Sequence, residues 1–184
     1  MTPPLGAAFF FADDGFGPLM SRRQKRVSLP RTPHGPRFEP IETRPMTYTI
    51  TSYVSVNAFV FGQTRTQIGK TSGKPLVVTT DNIQGIVTEQ REGCDLVFED
   101  KRLAYVTLNK HVTPVVEGIE VYADGALEAL KALDPDHLIG PRYIVFRTLG
   151  LCVGGLSRKK IPEGRIVSAF ATDKREFFEF FVED

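Results

Sequence analysis

The chain lacks tryptophan altogether and holds only two cysteines, three histidines and three methionines in 184 residues. Cys94 and Cys152 stand far apart, and neither has the neighbours of a metal-ligand motif. That excludes a disulfide-stapled scaffold and a cysteine zinc framework. Both sit in apolar, strand-like surroundings, where cysteine acts as a small hydrophobe, so a reducing, cytoplasmic setting is expected. His34, His111 and His137 offer no pair at the spacing of a helical zinc site. No Gly-x-Ser-x-Gly elbow occurs. No apolar run approaches the roughly 18 residues that cross a bilayer, so no membrane is expected. An excess of either charge is also missing, with 23 basic against 22 acidic residues. Beyond residue 45 the balance is slightly acidic, 16 against 18. A body of that sign does not attract phosphate backbones, and nucleic acid is not an expected partner.

Proline is plentiful in one place. Eight of the 13 prolines lie in residues 1–45, with Gly6, Gly15, Gly17 and Gly35 among them. No helix or strand period survives there, so residues 1–45 are expected to be a disordered extension. Leu5–Ala12 resembles a short signal-peptide core but has no basic residue before it, and Asp13-Asp14 follow at once. The arginines between Arg22 and Arg37 have the flavour of a transit peptide or a nucleic-acid arm, yet the interspersed prolines break the helix a transit peptide needs. Met46 is the alternative natural start, since order is expected immediately after it.

Residues 46–184 read as one α+β body of short helices packed on antiparallel sheet. Tyr48–Phe61 is rich in β-branched and aromatic residues and is expected to be strand, broken near Asn57. Thr64 is placed to cap a short helix around Ile68, which Gly73 and Pro75 end. Strands are expected at Leu76–Thr80, Ile86–Glu89, Cys94–Phe98 and Leu103–Leu108, followed by a loop through Pro114 and Gly118. Ile119–Tyr122 suggests a further strand. Asp124 is the expected cap of a helix with Leu127, Leu130 and Leu133 on one face, stopped by Asp134-Pro135. Tyr143–Val153 reads as a long strand interrupted at Gly150.

One pattern repeats. Phe98-Glu99-Asp100-Lys101-Arg102-Leu103 is echoed by Phe170-Ala171-Thr172-Asp173-Lys174-Arg175. Each Asp-Lys-Arg suits an exposed turn between apolar strands. The second hairpin is accordingly expected to run Ile166–Ala171 and Glu176–Val182, with Phe178, Phe180 and Val182 on one strand face. The echo suggests two related units in tandem, 46–118 and 119–184, the second enlarged by an insertion at Ser157–Gly164.

Motifs with catalytic meaning are sparse. Gly69-Lys70-Thr71 has the ending of a phosphate-binding loop but not the glycine five residues earlier, so a helix end is expected instead. A Cys94–His111 pair has the residue types of a nucleophile and its base; a buried cysteine near an unrelated loop histidine is the plainer reading. Acidic residues gather at turns and at the C-terminus, where solvated turns are the ordinary explanation. No cofactor and no metal are expected.

The stretch from Phe61-Gly62 through Thr64, Ile68 and Gly73-Lys74-Pro75 is similar to an opening found in small bacterial α+β domains. It occurs in outer-membrane-assembly lipoproteins and in immunity proteins that neutralise toxins of rival bacteria. The lipoprotein's acylated N-terminal cysteine has no counterpart here. The immunity-protein resemblance implies a helix on a curled sheet and a cytoplasmic, non-catalytic protein that binds and blocks a bacterial toxin. Immunity proteins often meet basic toxin sites with acidic surface. Asp173, Glu176, Glu179 and Glu183 are therefore the expected partner-binding residues. The alternatives are a small enzyme whose catalytic residues one sequence does not reveal, and a structural or assembly subunit.

Overall fold

The computed structural model describes residues 45–155 and 165–183, the side chains of residues 181 and 183 excepted. The expected N-terminal extension and the expected insertion fall almost wholly outside the described residues. The described residues open with three short strands, β1 (Thr47–Thr51), β2 (Ser55–Val56) and β3 (Phe59–Val60); the expected single strand is broken at Ser52–Val54 as well as near Asn57, where the break was expected. Helix α1 (Arg65–Ser72) follows. Its start is a full capping box: Thr64 Oγ1 accepts from the Gln67 N–H, and the Gln67 side chain accepts from the Thr64 N–H. Gly73, at φ 72°, ends it.

A four-stranded meander comes next: β4 (Val77–Asp81), β5 (Ile86–Arg91), β6 (Cys94–Glu99) and β7 (Arg102–Leu108). The β6–β7 turn has Asp100 and Lys101 at φ 48° and 65°, the two positive values that a tight primed hairpin turn requires. The first expected hairpin is therefore present.

The loop expected through Pro114 is instead a strand, β8 (Thr113–Val116), which lies parallel to β1. The Thr113 N–H donates to the Met46 carbonyl. Pro114 pairs with Tyr48 without lending a donor, and its own carbonyl accepts from Val121. β9 (Ile119–Glu120) returns against β8. Helix α2 (Ala126–Leu133) begins after Gly125 in the left-handed region rather than at an Asp124 cap, and no side chain caps it. Its core contact is also narrower than expected. Ala126 and Leu130 are buried, whereas Leu133 is exposed.

A second meander follows α2: β10 (Leu138–Ile139), β11 (Tyr143–Phe146), β12 (Leu151–Gly154) and β13 (Ile166–Phe170). What reads as one long strand around Gly150 is the β11–β12 hairpin, turned at φ 64° on that glycine. β13 pairs with β7, and the two meanders become one sheet in the order β10-β11-β12-β13-β7-β6-β5-β4. The first strands form a second sheet, β3-β2-β1-β8-β9. Both halves thus run helix then four-stranded meander. The boundary expected at 118/119 falls inside the β8–β9 turn.

The second expected hairpin is overturned. After β13 the chain makes a single 3-10 turn (Thr172–Lys174) and then helix α3 (Arg175–Glu183). Aromatic strand propensity loses here to tertiary packing. Phe178 and Val182, one helical turn apart, bury one stripe, while Phe180 stays 52% exposed. Arg175 and Glu179 add an i, i+4 ion pair.

The large sheet separates two cores. On one face Leu96, Phe98, Val106, Leu108, Phe146 and Leu151 meet the small sheet, Ile68 of α1 and Leu130 of α2. On the other, Val145, Cys152 and Phe170 meet Phe178 and Val182 of α3. Each large side chain fully buried in this way contributes roughly 1.5–3 kcal/mol.

Candidate functional site

The start of β7 organises a cleft. A register shift at Val97/Phe98 interrupts the β6–β7 ladder, and such a bulge frees backbone groups for other partners. Leu103 exchanges hydrogen bonds with the Gly62–Gln63 segment, its N–H reaching the Gln63 carbonyl at 2.8 Å and its carbonyl the Gly62 N–H at 2.9 Å. Ala104 accepts from the Ala171 N–H at 2.9 Å. Two segments distant in sequence are thereby clasped onto β7. Between them lies an open cleft of about 580 Å³.

Its lining is apolar at Tyr53, Phe61 and Leu103 and charged at Glu99, Asp100, Arg102, Asp173 and Lys174. Both copies of the Asp-Lys-Arg triplet therefore contribute. Lys174 Nζ donates to Glu99 Oε2 at 2.6 Å and lies 3.9 Å from Asp173 Oδ2. Burial opposes the charge on Lys174, but the hydrogen bond and charge of Glu99, with the charges of Asp173 and Asp100, outweigh it and hold the ammonium above its ordinary range. Arg102 donates to the Gly62 carbonyl at 3.0 Å. The Asp173 side chain is 74% exposed. Tyr53 closes one wall by donating to the Arg147 carbonyl and meeting Phe170 edge-on at 5.8 Å. Burial, first among several causes, raises its phenol above the usual range.

The four residues expected to bind a partner separate. Asp173 stands in the cleft, and Glu176 is exposed on the first turn of α3, next to it. Glu179 is already engaged: its Oε1 accepts from Arg175 Nε at 2.6 Å and from Arg147 Nε at 2.8 Å. Burial raises its pKa, but the Arg175 and Arg147 hydrogen bonds and charges win, leaving the carboxyl below its ordinary value. The side chain of Glu183 lies outside the described residues. Glu99 and Asp100 belong to the cleft as well, and the sequence places both among the acidic residues gathered at the turns. The repeated triplet was their signal, because it marks two turns whose pairing a linear reading does not reveal.

The other sequence motifs resolve simply. Gly69-Lys70-Thr71 lies inside α1, with no loop for phosphate. Cys94 is buried and receives a contact from the Tyr48 hydroxyl at 3.6 Å, while His111 is exposed. Burial pushes the Cys152 thiol up to about 12. Such thiols are poor nucleophiles. Among the described residues no group of three or more His, Cys, Asp and Glu is placed to hold a metal ion, and no helix is long and apolar enough to cross a membrane.

A buried ionic cluster was not visible in the sequence. Glu89 and Arg91 are both buried on β5. Glu89 Oε2 accepts from Arg91 at 2.8 Å, and its Oε1 from Arg65 of α1 at 2.7 Å. Arg91 also donates to the Ser72 and Gly73 carbonyls at the end of α1. The cluster satisfies helix-end acceptors and favours the negative end of the helix dipole. It fastens α1 to the sheet and so fixes the Gly62–Gln63 wall of the cleft from below.

No family model matches the chain, and no curated protein and no solved structure matches it either.

Proposed function

We propose that the chain is a non-catalytic, cytoplasmic binding protein of the immunity type, and that it neutralises a bacterial toxin by receiving a basic segment of it at the acidic mouth of the cleft. One observation supports the reading above others: Glu99, Asp100 and Asp173, from segments far apart in sequence, converge on one opening. Lys174 is held by Glu99, so the exposed carboxylates at the opening remain to meet a cation. A basic partner group would find carboxylates at the rim and apolar surface at Tyr53, Phe61 and Leu103 beneath. Complementary charge of this kind raises association rate and fixes register. Beyond the rim, α3 carries the exposed Glu176 and the half-exposed Phe180, and partly buried aromatic anchors beside charge are common in interfaces.

The test begins with the full chain immobilised against a lysate of its source organism. A captured protein supports the proposal only if it poisons cells when expressed alone and becomes harmless when this chain is co-expressed. The double variant Asp173→Lys, Glu176→Lys should then bind about tenfold or more weakly, with a flatter salt dependence, because two rim charges are reversed. Circular dichroism should be unchanged. A captured protein whose toxicity is not relieved overturns the immunity reading. Unchanged binding by the charge-reversed chain overturns the placement at the cleft.

A further inference from the structure

Two carboxylates from separate elements meet one ammonium in the cleft. Lys174 Nζ lies 2.6 Å from Glu99 Oε2 and 3.9 Å from Asp173 Oδ2. Glu99 ends β6, and Asp173 stands beside Lys174 on the 3-10 turn. An ammonium has three hydrogens to donate. Lys174 makes one short bond, to Glu99. Its approach to Asp173 is beyond hydrogen-bond range, and the Asp173 side chain is 74% exposed. The pair of acids therefore has acceptor capacity that Lys174 leaves unused. The place is also reachable, since all three residues line the open cleft, and the side chains of Glu99 and Lys174 stay 24% and 19% exposed. The Glu89–Arg91 pair is the contrast: it is 3% and 8% exposed, with α1 hydrogen-bonded across it.

We infer that Glu99 and Asp173 form a binding site for a primary alkylammonium group, that Lys174 fills this site in the free chain, and that a lysine side chain of the partner enters by taking Lys174's place. The ligand class follows from what the cleft's own cations do. The lining holds one ammonium and one guanidinium. The ammonium takes the carboxylates. The guanidinium of Arg102 donates instead to the Gly62 carbonyl at 3.0 Å and makes no ion pair among the described residues. Two acids converging on one point suit a compact charge, whereas a planar guanidinium is best met by both oxygens of one carboxylate. Exchange needs no change of fold. The Lys174 N–H is fixed to the Ala171 carbonyl at 2.9 Å, and α3 is anchored beyond it by Phe178 and Val182, so the side chain alone can swing into water. The incoming ammonium then reproduces the bond to Glu99, and the released side chain regains rotamer freedom. Lys174 is thus a built-in competitor. It keeps the largely covered Glu99 paired in the free chain, and it admits only a group able to replace its bond. The inference rests on the proposed reading of the cleft for its partner alone. The ammonium site is tested without a partner, so a failed site and a missing toxin are separate results.

The experiment removes Lys174 from the full chain and supplies a free ammonium. n-Propylammonium chloride should raise the melting temperature of Lys174→Ala by about 2–4 °C over sodium chloride of equal concentration, because it binds only the folded chain. The natural chain should not respond, since its own lysine competes at high effective concentration. n-Propanol, which lacks the charge, should not stabilise the variant, and n-propylguanidinium should do so less. Adding Glu99→Gln to Lys174→Ala should abolish the rise. An alanine variant that folds only once the amine is present gives the same result in stronger form. In calorimetry, trilysine amide should bind Lys174→Ala about tenfold more tightly than the natural chain. Lys174→Met, equally uncharged but filling the space of the stem, should gain less. The site is overturned if the amine fails to stabilise Lys174→Ala, stabilises the natural chain as much, or acts as well without Glu99. Equal rescue by n-propylguanidinium overturns the ligand class. Trilysine amide that binds Lys174→Ala no better than the natural chain, or no better than Lys174→Met, overturns the exchange.

Discussion

Lys174 donates to Glu99 at 2.6 Å, and through this pair the two segments that spell Asp-Lys-Arg touch in the fold. Their likeness in sequence does not extend to structure. Asp100 and Lys101 turn β6 into β7, whereas Asp173 and Lys174 form the 3-10 turn that launches α3. The contact ties the C-terminal helix to the first meander's last hairpin.

That tie should be measurable as a coupling. Glu99→Gln and Lys174→Met, singly and together, form a double-mutant cycle. Both side chains are about three-quarters covered. The coupling should be about 1 kcal/mol, between that of an exposed ion pair and that of a buried charge-assisted hydrogen bond. The folded pKa of Lys174 is raised, so its contribution is full below the ordinary value of 10.5 and fades as pH rises through the folded value. Urea melts at neutral and strongly alkaline pH check both statements. A coupling near zero at neutral pH would show the two segments meeting without mutual stabilisation.

Glu89 should be far more sensitive to substitution than any carboxylate at the cleft. It is 2% exposed and answers two arginines. Glu89→Ala leaves Arg91 buried without its counter-ion, and breaking a buried pair in this way costs roughly 3–5 kcal/mol. Replacing both partners, with Glu89→Met and Arg91→Met, should recover much of that loss, although the α1 carbonyls then lose their donor. Chemical denaturation of the three variants decides the matter. A double variant no more stable than Glu89→Ala would show that Arg91 serves α1 more than it serves Glu89.

Local signals were readable where the cause is local. The Thr64 cap, the Gly73 stop and the turn-flanked strands from β4 to β7 are each specified within a few residues, and the structure has them. What failed depended on distant partners. The phenylalanines of α3 suit a strand by propensity, but only a helix lets Phe178 stack on Phe170 at 4.4 Å while leaving Phe180 outside. Pro114 looked like a loop because nothing nearby shows that Tyr48 lies beside it. The ionic cluster at Glu89 was hidden for the same reason, since its second arginine and its helix carbonyls come from α1.

Phe178 tests the corrected reading of the C-terminus. It stacks on Phe170 and meets Tyr105 edge-on at 5.4 Å. Phe178→Ala should cost roughly 3–5 kcal/mol, the range for deleting a buried aromatic side chain. Phe180→Ala should stay within about 0.5 kcal/mol, as for most exposed positions. A strand would place Phe178 and Phe180 on one face and give them similar costs. Two thermal melts therefore separate helix from strand, and equal losses would refute α3.

Asp95 gives a prediction in which the sign of a pH effect decides. It lies on β6, opposite Thr107 and Gln90 on the face of the large sheet that α3 packs against. Burial alone lifts its pKa above the ordinary 3.8, and among the described residues no ion pair reaches it. The native state therefore holds a proton on Asp95 more tightly than the unfolded chain does. Stability from this site is present below 3.8, declines as pH rises through the folded pKa, and is fully lost at neutral pH, where the ionised group is a net cost. Asp95→Asn keeps the shape and removes the charge. It should raise the melting temperature at pH 7, and the gain should vanish at pH 3, where the native aspartate is already neutral. The natural chain, in turn, should lose stability relative to the variant across the weakly acidic range. A variant equally stabilised at both pH values would mean that its amide makes a better contact than either form of the acid. A variant destabilised at pH 7 would mean that the carboxylate is wanted as an anion in this position, and that burial is not what governs it.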